Sequence, residues 1–228
     1  MKFKFILSVV ALAWAGPAFA DMTAHYVGLD DQRMLTVEIA GDGDRDLRMT
    51  FQGDPNYFLT HAGRDYLVKT SATGSTVMRQ EDISTAWIER WGPARRSSRR
   101  SGQDVGLVAR GMVSIRGRKG IGYVARGEGM SGQADEPVLV VSDDPTLAPL
   151  AAAMHRQFNT SFRTMQTLFG DASPWSGMAG IFDKGAPLSF LGMRLDTINR
   201  DPVPASRFVL PASPILLAEV KRDVASLP

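Results

Sequence analysis

The chain contains no cysteine. That excludes disulfides, thiolate chemistry and every metal site built on cysteine. It has 3 histidines in 228 residues, His25, His61 and His155, and none stands at H-x-x-x-H spacing. No G-x-S-x-G elbow occurs. Beyond residue 20 no apolar run is long enough to form a membrane-spanning helix. Charge of one sign is not in excess either. There are 26 Lys and Arg against 24 Asp and Glu, and without Lys2 and Lys4 the balance is 24 against 24. A neutral chain exerts no general pull on nucleic acid, so no nucleic-acid partner is expected. No cofactor motif and no metal motif stands out. What remains must be held by an apolar core alone, and about 200 residues can bury one as a single domain.

The first twenty residues read as a leader. Lys2 and Lys4 give a positive start, Phe5 to Trp14 an apolar stretch, and Ala18-Phe19-Ala20 an A-x-A cleavage site. The expectation is a signal peptide over residues 1–20, cleaved after Ala20, and a periplasmic mature chain over residues 21–228.

From Asp21 onward the pattern is mostly period two. Leu35, Val37 and Ile39 alternate with Thr36 and Glu38, and Leu47, Met49 and Phe51 alternate with Arg48 and Thr50. Such segments are half-buried antiparallel strands. Gly41-Asp42-Gly43-Asp44 turns between them. Residues 57–61 and 65–70 read as a second hairpin, and residues 105–125 as a third, turning at Gly117-Arg118-Lys119-Gly120. A strand is expected near residues 76–80 and another over residues 138–141, the latter wholly apolar. A further strand is expected from Leu188 to Ile198. The run from Ile215 to Val220 fits a closing strand or a short helix.

Two segments break that rhythm. In residues 145–170, Leu147, Leu150, Ala151, Met154, Phe158, Phe162, Met165 and Phe169 recur at steps of three and four, one stripe of a helix. Asp143 and Asp144 before Pro145 suit its start, and Gly170 its end. The second segment, Asp82 to Trp91, spaces Ile83, Trp87 and Trp91 by four and predicts a shorter helix with Asp82 as its cap. An exposed basic loop should follow over residues 92–104, with Arg95, Arg96, Arg99 and Arg100 among Ser and Gly. Many strands with few helices predict an α+β fold, mainly β, whose sheet curls around the long amphipathic helix.

Gly111-Met112-Val113-Ser114-Ile115-Arg116-Gly117, then Gly122-Tyr123-Val124 and Val141-Ser142-Asp143-Asp144-Pro145, form one set of recognisable segments. Phe190-Leu191-Gly192-Met193-Arg194-Leu195, running on to Pro204-Ala205-Ser206-Arg207-Phe208-Val209-Leu210-Pro211, forms another. In this order, behind the early hairpins, they resemble a family of exported bacterial proteins similar in architecture to the lipoprotein carriers LolA and LolB. The resemblance spans most of residues 22–212. It implies an incomplete antiparallel β-barrel (LolA-like) covered by the long helix, with an apolar cavity between. Carriers of that fold hold acyl chains, and relatives sense misassembled envelope components.

The site expected on these grounds is non-catalytic. Met154, Phe158, Phe162 and Met165 would face the concave sheet and touch an apolar or acyl ligand. Trp87 and Trp91 fit core packing or an aromatic lid over the same ligand. The Met residues likewise fit gap-filling or a permissive binding surface. Arg95, Arg96, Arg99 and Arg100 fit a solvated loop, or docking to an anionic membrane surface or an acidic envelope protein. Two other functions stand beside the carrier: an interaction module whose cavity is only core, and a hydrolase using His155 or His61. Gly127 to Gly132 matches G-x-G-x-x-G as a string, but a strand follows where a nucleotide site needs a helix. Asp42, Asp44 and Asp46 resemble the start of a calcium loop, yet Leu47 and Gly53 occupy the positions that need Gly and Glu.

Overall fold

The computed structural model describes residues 21–28, 30–97, 106–126, 136–169 and 180–226, the side chains of residues 93–97 and 169 excepted. The expected leader, the arginines at 99 and 100, Gly127 to Gly132 and Gly170 lie outside the described residues.

The fold is mainly β. Among the described residues eleven strands run in chain order as β1 (Met22–Val27), β2 (Arg33–Ala40), β3 (Asp46–Phe51), β4 (Tyr57–His61), β5 (Arg64–Ser71), β6 (Gly74–Arg79), β7 (Gly106–Ile115), β8 (Arg118–Arg126), β9 (Leu139–Ser142), β10 (Ala186–Phe190) and β11 (Met193–Asn199). They form one antiparallel sheet in the order β6-β5-β4-β3-β2-β1-β11-β10-β9-β8-β7, and it does not close on itself. The register is set by which face is apolar. Leu35, Val37 and Ile39 of β2 stand opposite Phe51, Met49 and Leu47 of β3, so one face is continuous hydrocarbon across the pair.

Three α-helices have both ends among the described residues. α1 (Gln80–Ser97) follows β6 directly, α2 (Ala148–Phe169) lies across the apolar face, and α3 (Leu217–Ala225) packs on α1. The stripe predicted over residues 145–170 forms α2, behind a short 3-10 turn at Pro145–Leu147. Asp144 caps that turn: its carboxylate accepts from the Thr146 N–H at 2.9 Å and from the Thr146 hydroxyl at 2.7 Å. The hydroxyl bond, then the amide bond, holds the Asp144 carboxyl below the usual range. Arg156 ties α2 to the sheet. Its Nε donates to Asp65 Oδ1 at 2.9 Å, Nη1 donates to the Asp44 carbonyl at 3.2 Å, and Nη2 reaches the Gly63 carbonyl.

Four local expectations change. The single strand expected from Leu188 to Ile198 is a hairpin, β10 and β11. Leu191 and Gly192 both adopt positive φ, 49° and 74°, which is the type I′ geometry that reverses a strand in two residues. The third hairpin turns two residues earlier than expected, centred on Arg116 and Gly117. α1 begins at Gln80 and continues past Trp91 to Ser97, so the backbone of the first part of the expected basic loop is helical. Asp82 therefore stands in the first turn of α1 and not at its cap. Of the two readings of the last apolar run, the helical one describes α3.

The opposite face of the sheet is covered at one end. Val203, Phe208 and Leu210 pack on Leu59, Tyr66, Val68 and Val77. The chain then runs along the β6 edge, where the Ile215 N–H donates to the Val77 carbonyl at 2.9 Å.

Candidate functional site

The interior under α2 is aromatic. Phe158 and Phe162, one helical turn apart, stack with centroids 5.6 Å apart and an interplanar angle of 20°. Phe182 lies 5.3 Å from Phe158 and 5.7 Å from Phe162. Phe190 of β10 meets Phe158 at 5.5 Å edge-on and Tyr26 of β1 at 5.2 Å. These are the offset and edge-to-face arrangements that the ring quadrupole favours. Tyr26 is fully buried, and its hydroxyl donates to the Pro187 carbonyl at 2.7 Å. Burial pushes the phenol far above its ordinary pKa, so it remains a neutral donor.

Met154 and Phe162 are buried in this cluster, while Phe158 packs against it from a half-buried position. Met165, further along α2, is half-buried. Trp87 and Trp91 belong elsewhere. They meet edge-on at 5.2 Å on α1 and pack with Leu67, Met78, Val220 and Val224 in a separate cluster. The structure therefore joins Met154, Phe158 and Phe162 but does not join the two Trp to them. Arg95 and Arg96 lie in the helical backbone of α1 with side chains outside the described residues.

Phe182 connects the aromatic interior to the surface. It lines a groove of about 310 Å³ at the start of α2, together with Ala148, Ala152, His155, Asp183 and Lys184. The groove has a mixed rim. His155 Nε2 lies 2.8 Å from Asp183 Oδ1, with both side chains well exposed. The Lys184 ammonium sits 5.3 Å from the centroid of the Tyr123 ring, a cation–π contact. Ser142 also lines the groove, but its hydroxyl donates to the Lys119 carbonyl at 2.7 Å and accepts from the Asp144 N–H at 3.3 Å. It is 2 % exposed. Those bonds commit the Ser142 hydroxyl to backbone groups.

His61 is remote from this groove. It stands at the β4–β5 turn with Nδ1 3.5 Å from Asp46 Oδ1. Asp42 and Asp46 also serve turns, accepting from the Asp44 and Ala62 N–H groups. Among the described residues no three His, Asp or Glu side chains converge where a metal ion could be held.

Sequence reasoning missed Phe182, Phe190 and Tyr26 as members of the aromatic cluster. Alternation along β1 and β10 marks Tyr26 and Phe190 as apolar strand residues, but nothing local says that they meet. Phe182 lies in a Gly- and Pro-rich stretch without periodicity, so no signal marks it. No protein-family model, curated protein or solved structure matches this chain.

Proposed function

We propose that this chain is a non-catalytic carrier or sensor of an amphiphile, with a LolA-like half-barrel, whose ligand enters through the groove beside Phe182. The observation that carries the reading is the continuity of that groove with the aromatic interior. Phe182 is at once a wall of the groove and a neighbour of Phe158, Phe162 and Phe190. An acyl chain or similar apolar body laid there would cover the apolar atoms of Ala148, Ala151 and Ala152, worth about 25 cal/mol per Å² of apolar surface covered, and would meet the rings by displacing the buried Phe182. The rim formed by Asp183, His155 and Lys184 suits a polar head held in water. An open sheet supports the reading, because α2 lies across its apolar face without pairing to any strand. In this reading the mature chain works in the periplasm after cleavage behind Ala20, and Arg95, Arg96, Arg99 and Arg100 keep it near an anionic membrane surface.

The test uses residues 21–228 and a fluorescent long-chain fatty acid. Binding should be saturable and should be lost in Ala148→Trp, which fills the groove from an exposed position. Unsaturable binding, or equal binding by both proteins, would overturn the reading and leave the aromatic cluster as core.

A further inference from the structure

The two edges of the sheet are not alike. At β6 the tail runs alongside, and Ile215 bonds to Val77. At β7 nothing among the described residues pairs with the outer side. An unpaired strand presents a row of N–H and C=O groups and acts as a template for another strand. Natural edges are usually kept short, twisted or covered for that reason. β7 is ten residues long, Gly106–Ile115.

The turn fixes which groups face outward. Arg116 and Gly117, with φ 49° and 82°, form the two-residue I′ turn, so Ile115 and Arg118 are its hydrogen-bonded closing pair. Bonded and non-bonded pairs then alternate. Val113 opposite Gly120 and Gly111 opposite Gly122 bond to β8, and Ser114 and Met112 turn their N–H and C=O groups to the edge. A bulge between Ala109 and Gly111 bends the strand beyond that point, leaving Gly111 to Ile115 as the regular run. Beside it the surface is apolar: Met112 is 68 % exposed and stands opposite Ile121, which is also exposed.

The electrostatics select the occupant. Residues 106–126 contain no Asp or Glu. Arg116 is taken up by Asp31 at 2.6 Å and Asp196 at 3.2 Å, but Arg118, Lys119 and Arg126 leave the hairpin positive. A second copy pairing along Gly111 to Ile115 would bring no carboxylate to offset that charge. An extended segment bearing carboxylates would bring opposite charges instead. We propose that the β7 edge docks an extended acidic segment of a partner protein, which adds to the sheet as a further strand along Gly111 to Ile115. Main-chain bonds to Met112 and Ser114 supply the pairing, Met112 and Ile121 supply the apolar contact, and Arg118 and Lys119 set the charge preference.

The experiment is hydrogen exchange on residues 21–228, alone and with a monomeric peptide of about ten residues alternating Val or Thr with Glu. The Met112 and Ser114 amides should exchange fast in the chain alone and slow by about tenfold or more with the peptide. The same peptide with Lys for Glu should not protect them. Met112→Pro removes an outward N–H and should weaken binding by about tenfold or more. The double variant Arg118→Glu, Lys119→Glu should switch preference to the Lys peptide, which keeps the test open if the proline variant fails to fold. Protection already present in the chain alone would mean that its own residues cover the edge. Protection that rises with protein concentration would mean a second copy. Equal affinity for both peptides would remove the charge argument. Each of these results overturns the proposal.

Discussion

Arg207 grips Glu38 with both sides of its guanidinium. Nε donates to Oε1 at 2.9 Å and Nη2 donates to Oε2 at 2.6 Å. Glu38 is on β2, and Arg207 belongs to the 3-10 turn Ala205–Phe208, so the fork fastens that turn to the sheet and holds Phe208 on Leu59 and Val68. Its geometry needs a planar fork, which Lys lacks. The hydrogen bond to Glu38 raises the Arg207 pKa. Arg48, beside them, is pushed the other way, first by burial and then by the positive charge of Arg207. Its guanidinium carbon lies 3.8 Å from the centroid of the Tyr57 ring.

Arg207→Lys should therefore cost about 1 kcal/mol. The pair is charge-assisted and bidentate, but Arg207 is 41 % exposed and solvent screens part of the gain. Urea unfolding checks the size, and a double-mutant cycle with Glu38→Gln checks that the loss belongs to the pair. A Lys variant as stable as the parent would show that the turn is held by Phe208 alone.

The two phenylalanines of α2 should separate packing from binding. Phe162 is buried, so Phe162→Ala should cost about 3–5 kcal/mol. Phe158 is half-buried and should cost less, while its loss should weaken binding of the fluorescent fatty acid more than any other α2 substitution. Thermal melts beside binding isotherms decide this. Equal destabilisation with unchanged binding would mean that both rings are only core.

Much of this arrangement is legible in the sequence. The α2 stripe can be read because its apolar residues keep helical spacing for six turns, and the early hairpins because alternation stops at Gly-rich turns. The β10–β11 break is not, since apolar residues continue on both sides and Leu191 is an unusual choice for positive φ. The separation of Trp87 and Trp91 from Phe158 could not be read at all. It depends on α3, a helix carrying Glu219, Lys221, Arg222 and Asp223, reaching back about 130 residues to pack Val220 and Val224 on α1. Local pattern names the apolar face of each helix; it does not name the neighbour.

His25 should make stability pH-dependent. Its Nδ1 lies 3.1 Å from the Thr36 hydroxyl. Burial, then the Arg33 charge, lowers its pKa below the ordinary 6.5, against the opposing pull of Glu38 and Asp196. Between the lowered folded value and 6.5 the unfolded chain binds more protons, so stability falls as pH drops through that window. Above it the contribution is constant. Denaturation midpoints for the parent and His25→Gln between neutral pH and the onset of carboxylate titration should converge as pH falls. Parallel curves would mean that His25 does not titrate differently on folding.

Gln80 supplies the last prediction. It opens α1, is 6 % exposed, and neither its Oε1 nor its Nε2 has a hydrogen-bond partner among the described protein groups. It lines a pocket of about 340 Å³ with Arg64, Asp65, Arg79 and Arg156. A buried amide left unpaired costs about 1–3 kcal/mol, whereas an apolar side chain of the same length has no such cost. Met matches Gln in reach and adapts to irregular space. Gln80→Met should therefore raise stability by about 1 kcal/mol, and the hydrogen bonds of Arg156 to Asp65 and Gly63 should keep the pocket wall in place. Urea unfolding of the two proteins is the measurement. A clear loss of stability would show that the amide is satisfied in solution by water or a bound molecule in that pocket.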